Sequence, residues 1–591
     1  MTELLLKINC LVHFVFVKEI PSLTRDELLE TYLNASENNS FGIDTIKATR
    51  RFREWYFVNM TSNNSYVNTE DNYDMKRVST VERSHGWEPE CNSHEGSYSY
   101  EEAINLAGNG WYNRGLLAVL SMALLGMGID IFGFSVIVTG CTCDFQLEHY
   151  QKNILLSMSF VGPILTSYLW GYLSDTHGRR ASLLIGLWVS FLASTLSAFS
   201  ANWIMLAVLK AFSTSFCSSA QSCTYTLLGE SCTQKVRDFY MLLMTSVLML
   251  FLLSYVVPGY YILNMNFSID IGLMNFTPWR LLTIVMALPL GISAIGLQLC
   301  IESPKFFISV GRQDDAVNSL QAIYMKNGGI KNKYPVRNVY ISQETSRKGE
   351  GKPLLQSLKD QTFPLFKPPL LRRTVQLFFL TSVIYSINNS LVMWMPSIVQ
   401  AFAYGMDSAG AGSMSLCEII ISTQYHNTPV DSLTCTSSLE ERTLFSGIFH
   451  GLLFSGITVC VSKFAAHKKA LLIAFLAIPL VSSAAAVLNQ DEYASLVLFV
   501  GMMMTNLCMG VLFSYYVELY PTSHRGMAAC LGVMVARLSG LAGVNFIGSY
   551  VMTHCAATFY AFSAYLFCGI VVAYFLPAPV AKTDAECTNE A

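Results

Sequence analysis

Twelve apolar runs alternate with polar breaks along the chain, at approximately 115-139, 152-173, 181-200, 203-228, 239-262, 281-300, 374-399, 443-462, 470-488, 493-516, 526-549 and 556-576. A helix rises 1.5 Å per residue, so about 20 apolar residues cross a hydrocarbon core roughly 30 Å thick. These lengths predict helices, because a membrane barrel shows short alternating segments instead. The runs fall six and six around a polar stretch. The predicted fold is therefore all-α and polytopic, with twelve transmembrane helices in two six-helix bundles. The expected divisions are a cytoplasmic, largely disordered segment at 1-112, a first bundle at 113-302, an inter-bundle segment at 303-372, a second bundle at 373-577 and a tail at 578-591.

Composition agrees with that pattern: 52% of the 591 residues are hydrophobic, 13% are charged, and mean hydropathy is +0.40. A soluble chain of this size carries far more charge. Lys and Arg cluster after runs two, four, eight and ten and in the inter-bundle segment, which predicts that those loops and both termini are cytoplasmic. Leu4 to Val17 is apolar, but Lys7 interrupts it and no small-residue cleavage site follows, which argues against a signal peptide. Most of the 16 cysteines lie in apolar runs and are expected to be packing residues. Cys417 and Cys435 lie instead in the long non-cytoplasmic loop after run seven, where an oxidising compartment would let them pair. On the same side, Asn266-Phe-Ser268 and Asn275-Phe-Thr277 are glycosylation sequons.

The halves repeat. Glu230…Arg237 and Glu518…Arg525 carry the same spacing 288 residues apart, and the same offset carries the end of Gly171-Tyr-Leu-Ser-Asp175-Thr-His-Gly178-Arg179-Arg180 onto His467-Lys468-Lys469. Two membrane bundles with basic loops at equivalent places are a common plan of secondary transporters, with the substrate site between them. In the first motif, two glycines permit close approach and a sharp reversal. Asp175 is placed to meet an arginine or the positive end of a helix.

This motif resembles the signature of the major facilitator superfamily. Further matches follow in order: Trp279-Arg280 opening run six, Glu302-Ser303-Pro304-Lys305-Phe306-Phe307 after it, and Glu518-Leu519-Tyr520-Pro521-Thr522 with Arg525 after run ten. Together, from about 113 to 577, they resemble the sugar-porter, organic-cation and synaptic vesicle glycoprotein 2 branches. The long polar N-terminal segment, the extended loop after run seven and Gly128-Ile129-Asp130-Ile131-Phe132 fit the synaptic vesicle glycoprotein 2-like group best. The resemblance implies a cytoplasmic ion-pair gate formed by Asp175, Arg179, Glu230, Arg237, Glu518 and Arg525, with Gly171, Gly178 and Arg180 completing the motif. Three departures stand out. Met127 replaces an expected acid, Lys210 stands where run four usually opens with arginine, and a glycine-rich stretch has become Ser213-Thr-Ser-Phe-Cys217-Ser-Ser219.

The candidate pathway residues are the polar groups inside the runs. Asp130 lies mid-run, where an unpaired charge costs at least about 2.5 kcal/mol. Gly126 and Gly133 flank it on one helical face, so it points to another helix or a cavity, either as a pathway residue or as half of a structural pair. Arg537 lies at similar depth. It is the partner of Asp130, the ligand of an anionic substrate, or part of another structural pair. In run seven, Tyr385, Asn388 and Asn389 share a face, Trp394 follows, and Pro396 is expected to break the helix. Asn506 and Asn545 add polarity or glue helices together, and His450 reads as packing. There is no phosphate-cradling glycine loop, no metal spacing and no nucleophile with a base in motif context. The chain is therefore expected to be no enzyme and to use no cofactor, metal or nucleic acid. The leading functional expectation is a secondary active transporter of a small organic solute, with protons and the lipid bilayer as further partners, in the plasma membrane or an intracellular vesicle membrane. The alternative is a transporter-like vesicle membrane regulator or receptor without substrate turnover.

Overall fold

A computed structural model describes residues 97–577 except 271, 273, 331–332, 341–361, 409–414, 419–438, 463–466, 521 and 552; the side chains at 222, 238, 401–408, 461–462, 492–493, 517–518 and 522–526 also lie outside the description. Twelve of its helices are long and apolar enough to cross a membrane. They are span 1, Trp111–Cys141; span 2, His149–His177; span 3, Arg179–Ser197; span 4, Trp203–Ser231; span 5, Gln234–Leu263; span 6, Pro278–Gln298; span 7, Leu371–Gln400; span 8, Glu441–Cys460; span 9, Lys468–Leu488; span 10, Ala494–Tyr516; span 11, Met527–Tyr550; and span 12, Cys555–Tyr574. Each of the twelve apolar runs thus lies on one span. The chain is an integral membrane protein, mostly helical.

Local chemistry sets the helix ends. Asn202 caps span 4 by accepting from the Met205 amide at 2.8 Å, and Pro278 opens span 6, where its missing amide is no loss. Spans 2 and 3 are separated by Gly178 alone. Its φ of +105° favours glycine, and a Cβ there would stand 2.6 Å from a Glu302 carboxylate oxygen. Span 7 does not break at Pro396. The helix runs from Leu371 to Ser408 through it, because neighbouring helices let a membrane span carry one lost backbone bond.

Order begins earlier than the sequence suggests. Strand β1 (Ser97–Ser99) and helix α1 (Tyr100–Ala107) precede span 1, within the segment 1-112 expected to be largely disordered. The cause is local: Ser99 caps α1, and Glu102 returns the bond to the Ser99 amide at 3.0 Å. After span 6 come α2 (Pro304–Ser309), α3 (Gln313–Lys326) and strand β4 (Asn338–Tyr340), which pairs in parallel with β1. Strands β2 (Ile269–Asp270) and β3 (Asn275–Phe276) form a small hairpin between spans 5 and 6, where Asn266 and Asn275 are exposed.

The halves meet along two seams. On span 8, Gly447, Gly451 and Ser455 recur every fourth residue against span 5. A Cβ on either glycine would come within 2.9 Å of Val256 or Leu253, and Ser455 donates to the Ser246 carbonyl at 3.0 Å. Along the other seam, spans 2 and 11 join through Asn153 and Asn545 at 3.2 Å and through the His149 ring, whose Nε2 donates to the Gly548 carbonyl.

The cysteine pairing after span 7 differs from the expected one. Cys417 is bonded to Cys555 at the start of span 12, 138 residues away, with Cα atoms 5.5 Å apart. Cys435 lies outside the described residues. A short helical turn at 416–418 seats Cys417 against span 12, so partnership follows the packed helix end and not proximity along the loop. Closing so long a loop is worth on the order of 4–5 kcal/mol in the chain-entropy account. Non-reducing peptide mapping is expected to recover Cys417 joined to Cys555, and Cys417→Ser is expected to leave Cys555 open to alkylation and lower Tm. Recovery of Cys417 linked to Cys435, or of both as free thiols, would overturn the assignment.

Candidate functional site

The basic-loop ends of spans 2 to 6 are joined by one polar network. Arg179 is largely buried and reaches both Glu230 (Nε–Oε2 3.1 Å) and Asp175, one turn back on span 2 (3.4 Å). Ser303 donates to the same Oε2 of Glu230. Glu302 accepts from the amides of Arg180 (2.8 Å) and Ala181 (3.1 Å), so its carboxylate sits at the positive end of span 3. Arg180 reaches across to the last carbonyls of span 6, Leu297 at 3.1 Å and Gln298 at 2.8 Å. Glu302-Ser303-Pro304 and Gly178-Arg179-Arg180 are thereby two halves of one lock.

One expected pair is not formed. Glu230 is committed to Arg179, and Arg237 pairs instead with Glu101 of α1 at 2.9 Å. At the same end of the molecule Gly171 faces Cys530 of span 11, with 3.9 Å between the sulfur and the place of a Cβ. The side chains of Glu518 and Arg525 lie outside the described residues.

Deeper in the first bundle, Asp130 has a partner, and it is Lys210. The ammonium stands 2.7 Å from the carboxylate, with both side chains 2% exposed. Ser194 and Ser213 donate to the same carboxylate at 2.9 and 3.1 Å. Four polar groups from spans 1, 3 and 4 thus satisfy one another inside hydrocarbon. Gly126 packs on Leu290 of span 6 and Gly133 on Tyr255 of span 5, so these glycines admit neighbouring helices while Asp130 turns toward spans 3 and 4. Arg537 is not its partner, because all of the carboxylate's contacts belong to the first bundle.

Arg537 lies across the bundle interface instead, donating from span 11 to the Gln221 amide oxygen of span 4. It is 5% exposed, and among the described residues no carboxylate lies within ion-pair distance of it. Tyr385 of span 7 and Cys217 of span 4 are near enough to interact with it electrostatically. Asn388 and Asn389 are almost fully buried beside them. Among the described residues, Asn388 Oδ1 and Asn389 Nδ2 have no hydrogen-bond partner, and Gly540 gives Asn389 its room, since a Cβ there would stand 2.4 Å from Nδ2. A buried cation with a neutral partner and two buried amide atoms with none make a cluster that a polar ligand would complete.

Other expected pathway residues lie on seams. Trp394 donates its indole N–H to the Val544 carbonyl at 3.1 Å, and its ring lies against His149. Asn506, in a 3₁₀ turn (Met503–Leu507) within span 10, meets the Met249 sulfur at 3.2 Å. His450 stacks on Phe454 at 4.0 Å, a packing contact. Sequence reading missed Gln221, Glu101 and His149 and treated Lys210 only as a departure. The signal for Lys210 was present: it is the one formal charge in its apolar run, as Asp130 is in another.

Comparison with known proteins places this geometry. A Major Facilitator Superfamily profile matches residues 118–428. The chain is 27% identical over 249 residues to synaptic vesicle glycoprotein 2C of Mus musculus, covering 41% of this chain and only 33% of that protein, so it spans about a third of that relative's length. With synaptic vesicle 2-related protein of Pongo abelii, identity is 24% over 456 residues, covering 76% of this chain and 75% of the relative. Among solved structures, the xylose transporter XylE of E. coli in its inward-open conformation superposes with a TM-score of 0.57 at 15% identity, covering 80% of this chain and 98% of that one. A partially occluded inward-open form gives 0.55 at 16%, covering 80% and 99%. The fold is thus shared along nearly the whole of a solved transporter, and with a family profile over residues 118–428 the chain belongs to the Major Facilitator Superfamily.

Proposed function

We propose that the protein is a secondary active transporter of a small organic anion, working by alternating access around the interface between spans 1–6 and spans 7–12. The observation that carries this reading is Arg537: a buried guanidinium facing the other bundle, with the Gln221 amide as its one hydrogen-bond partner among the described residues. A guanidinium presents a planar fork that fits a carboxylate, and a charge-assisted pair in a dry site is strong. Tyr385, Asn388 and Asn389 supply the neutral hydrogen-bonding groups that would orient such a solute. The basic loops and both termini lie on the cytoplasmic side, Asn266 and Asn275 on the other, and the bundles occupy 113-302 and 373-577. Asp175, Arg179, Glu230 and Arg237, with Glu518 and Arg525 of the second half, form the cytoplasmic gate. The Asp130–Lys210 pair, inside the first bundle, is the candidate coupling element of the cycle.

Reconstitution in liposomes tests the solute class. Labelled small carboxylates are expected to accumulate, and sugars and amines are not. Arg537→Gln is expected to weaken carboxylate binding about tenfold to a hundredfold, the value of a hydrogen bond to a charged group. Uptake of sugars or amines alone would overturn the anion, and movement of no solute in any class would favour a regulator without turnover.

The buried pair gives a second test. Asp130→Asn strands an ammonium in hydrocarbon and is expected to destabilise the protein by about 3–5 kcal/mol, whereas Asp130→Asn with Lys210→Met removes both charges and costs far less. Yield should fall in the single variant and recover in the double one. The double variant is expected to keep solute exchange and lose proton-driven accumulation. A single variant that expresses and concentrates solute normally would remove Asp130 from both roles.

A further inference from the structure

Helix α1 precedes the first span, yet it is built into the gate. Tyr100 is buried, its hydroxyl donates to the Glu230 carbonyl, and the Lys305 ammonium lies 5.8 Å above its ring. Burial pushes the Tyr100 hydroxyl well above its ordinary pKa, so it remains a donor. Glu101, the next residue, takes Arg237. Behind these contacts the segment is anchored to the inter-bundle region: β1 pairs with β4, Tyr334 donates to the Ala103 carbonyl at 2.8 Å, and Asn327 donates to the carbonyls of Ala107 (3.3 Å) and Gly108 (3.0 Å). A cavity of about 200 Å³, lined in part by Tyr100, Glu101, Glu230, Arg237 and Lys305, lies between α1 and the ends of spans 4 and 5.

Two arginines and one shared carboxylate make the consequence. Arg179 holds Glu230, and the cavity that both Glu230 and Arg237 line leaves space for Arg237 to turn to it. Without Glu101, Arg237 loses its acid, and Glu230 is the other carboxylate lining that cavity. Two guanidinium groups would then compete for one carboxylate, at the expense of the Arg179–Glu230–Ser303 network.

We propose that residues 97–107 are a strap that completes the cytoplasmic gate from outside the two bundles: Glu101 holds Arg237 off Glu230, and Tyr100 holds the Glu230 backbone, so that Glu230 stays with Arg179. Glu101 and Tyr100 are positioning residues acting through the gate, and segment 97–107 is the route by which a partner or modification of the N-terminal region would reach it. The proposal rests on the alternating-access reading but is measured without transport.

The test uses Cys530, the part-buried thiol that faces Gly171 across the two bundles at the gate end. With the full chain in liposomes, the rate of Cys530 alkylation by a membrane-impermeant maleimide is read by mass spectrometry. Glu101→Gln is expected to raise that rate about threefold, the population shift that one lost ion pair at a partly exposed site allows. The exchange Glu101→Arg with Arg237→Glu is expected to return it to the parent rate. Tyr100→Phe removes a single hydroxyl and is expected to act in the same direction, which keeps the test alive if the charge variants are poorly produced. Parent rates in Glu101→Gln and Tyr100→Phe, or an exchange variant that stays as fast as Glu101→Gln, would overturn the strap. Failure of the transport reading appears separately, as absence of uptake by the parent chain.

Discussion

A single ion pair sets much of the first bundle. Asp130 and Lys210 come from different spans and lie 2.7 Å apart where neither reaches solvent. An isolated charge at that depth is so unfavourable that spans 1 and 4 have little freedom to rotate about their axes or slide past one another. Ser194 and Ser213 draw span 3 into the same arrangement. The residues around the pair are then chosen by space: Gly126 and Gly133 let spans 6 and 5 approach the other face of span 1, where larger side chains would collide with Leu290 and Tyr255.

Three of the buried cations, Lys210, Arg280 and Arg537, are satisfied in different ways, and the difference separates architecture from chemistry. Lys210 has a carboxylate. Arg280 has backbone: the Ala198 and Ser200 carbonyls at 2.7 and 2.9 Å, just past the end of span 3, with Trp279 beneath the guanidinium. That arrangement uses the negative end of a helix. Among the described residues, Arg537 has only the neutral oxygen of Gln221 as a hydrogen-bond partner. A charge left with so little compensation between two bundles is the feature that packing alone does not account for.

Much of this plan was legible in the residues because hydrocarbon imposes a single strong rule: about 20 apolar residues in a row for every crossing. Twelve runs therefore became twelve spans, and Asp175 and Arg179, four residues apart across the Gly178 turn, were close enough along the chain to be named together. Pairings between distant segments were harder. Asp130 and Lys210 are 80 residues apart, and only the rarity of charge in their runs hints at a bond, so Arg537 competed as a partner until the packing excluded it. The equal spacing of Glu230…Arg237 and Glu518…Arg525 reported the duplication but not who pairs with whom, since Glu230 goes to Arg179 and Arg237 to Glu101. Segment 97–107 reads as polar and unremarkable until β4 and the ends of spans 4 and 5 surround it. Local closure of the outer loop similarly suggested Cys417 with Cys435, whereas the end of a packed helix supplied Cys555.

That last bond changes the covalent topology of the second half. Cys417 follows span 7 and Cys555 opens span 12, so the link joins two parts of the same bundle. The chain from one cysteine to the other is a closed ring that contains spans 8 to 11. A backbone cut anywhere within the ring would therefore leave all six of its spans in one covalent piece.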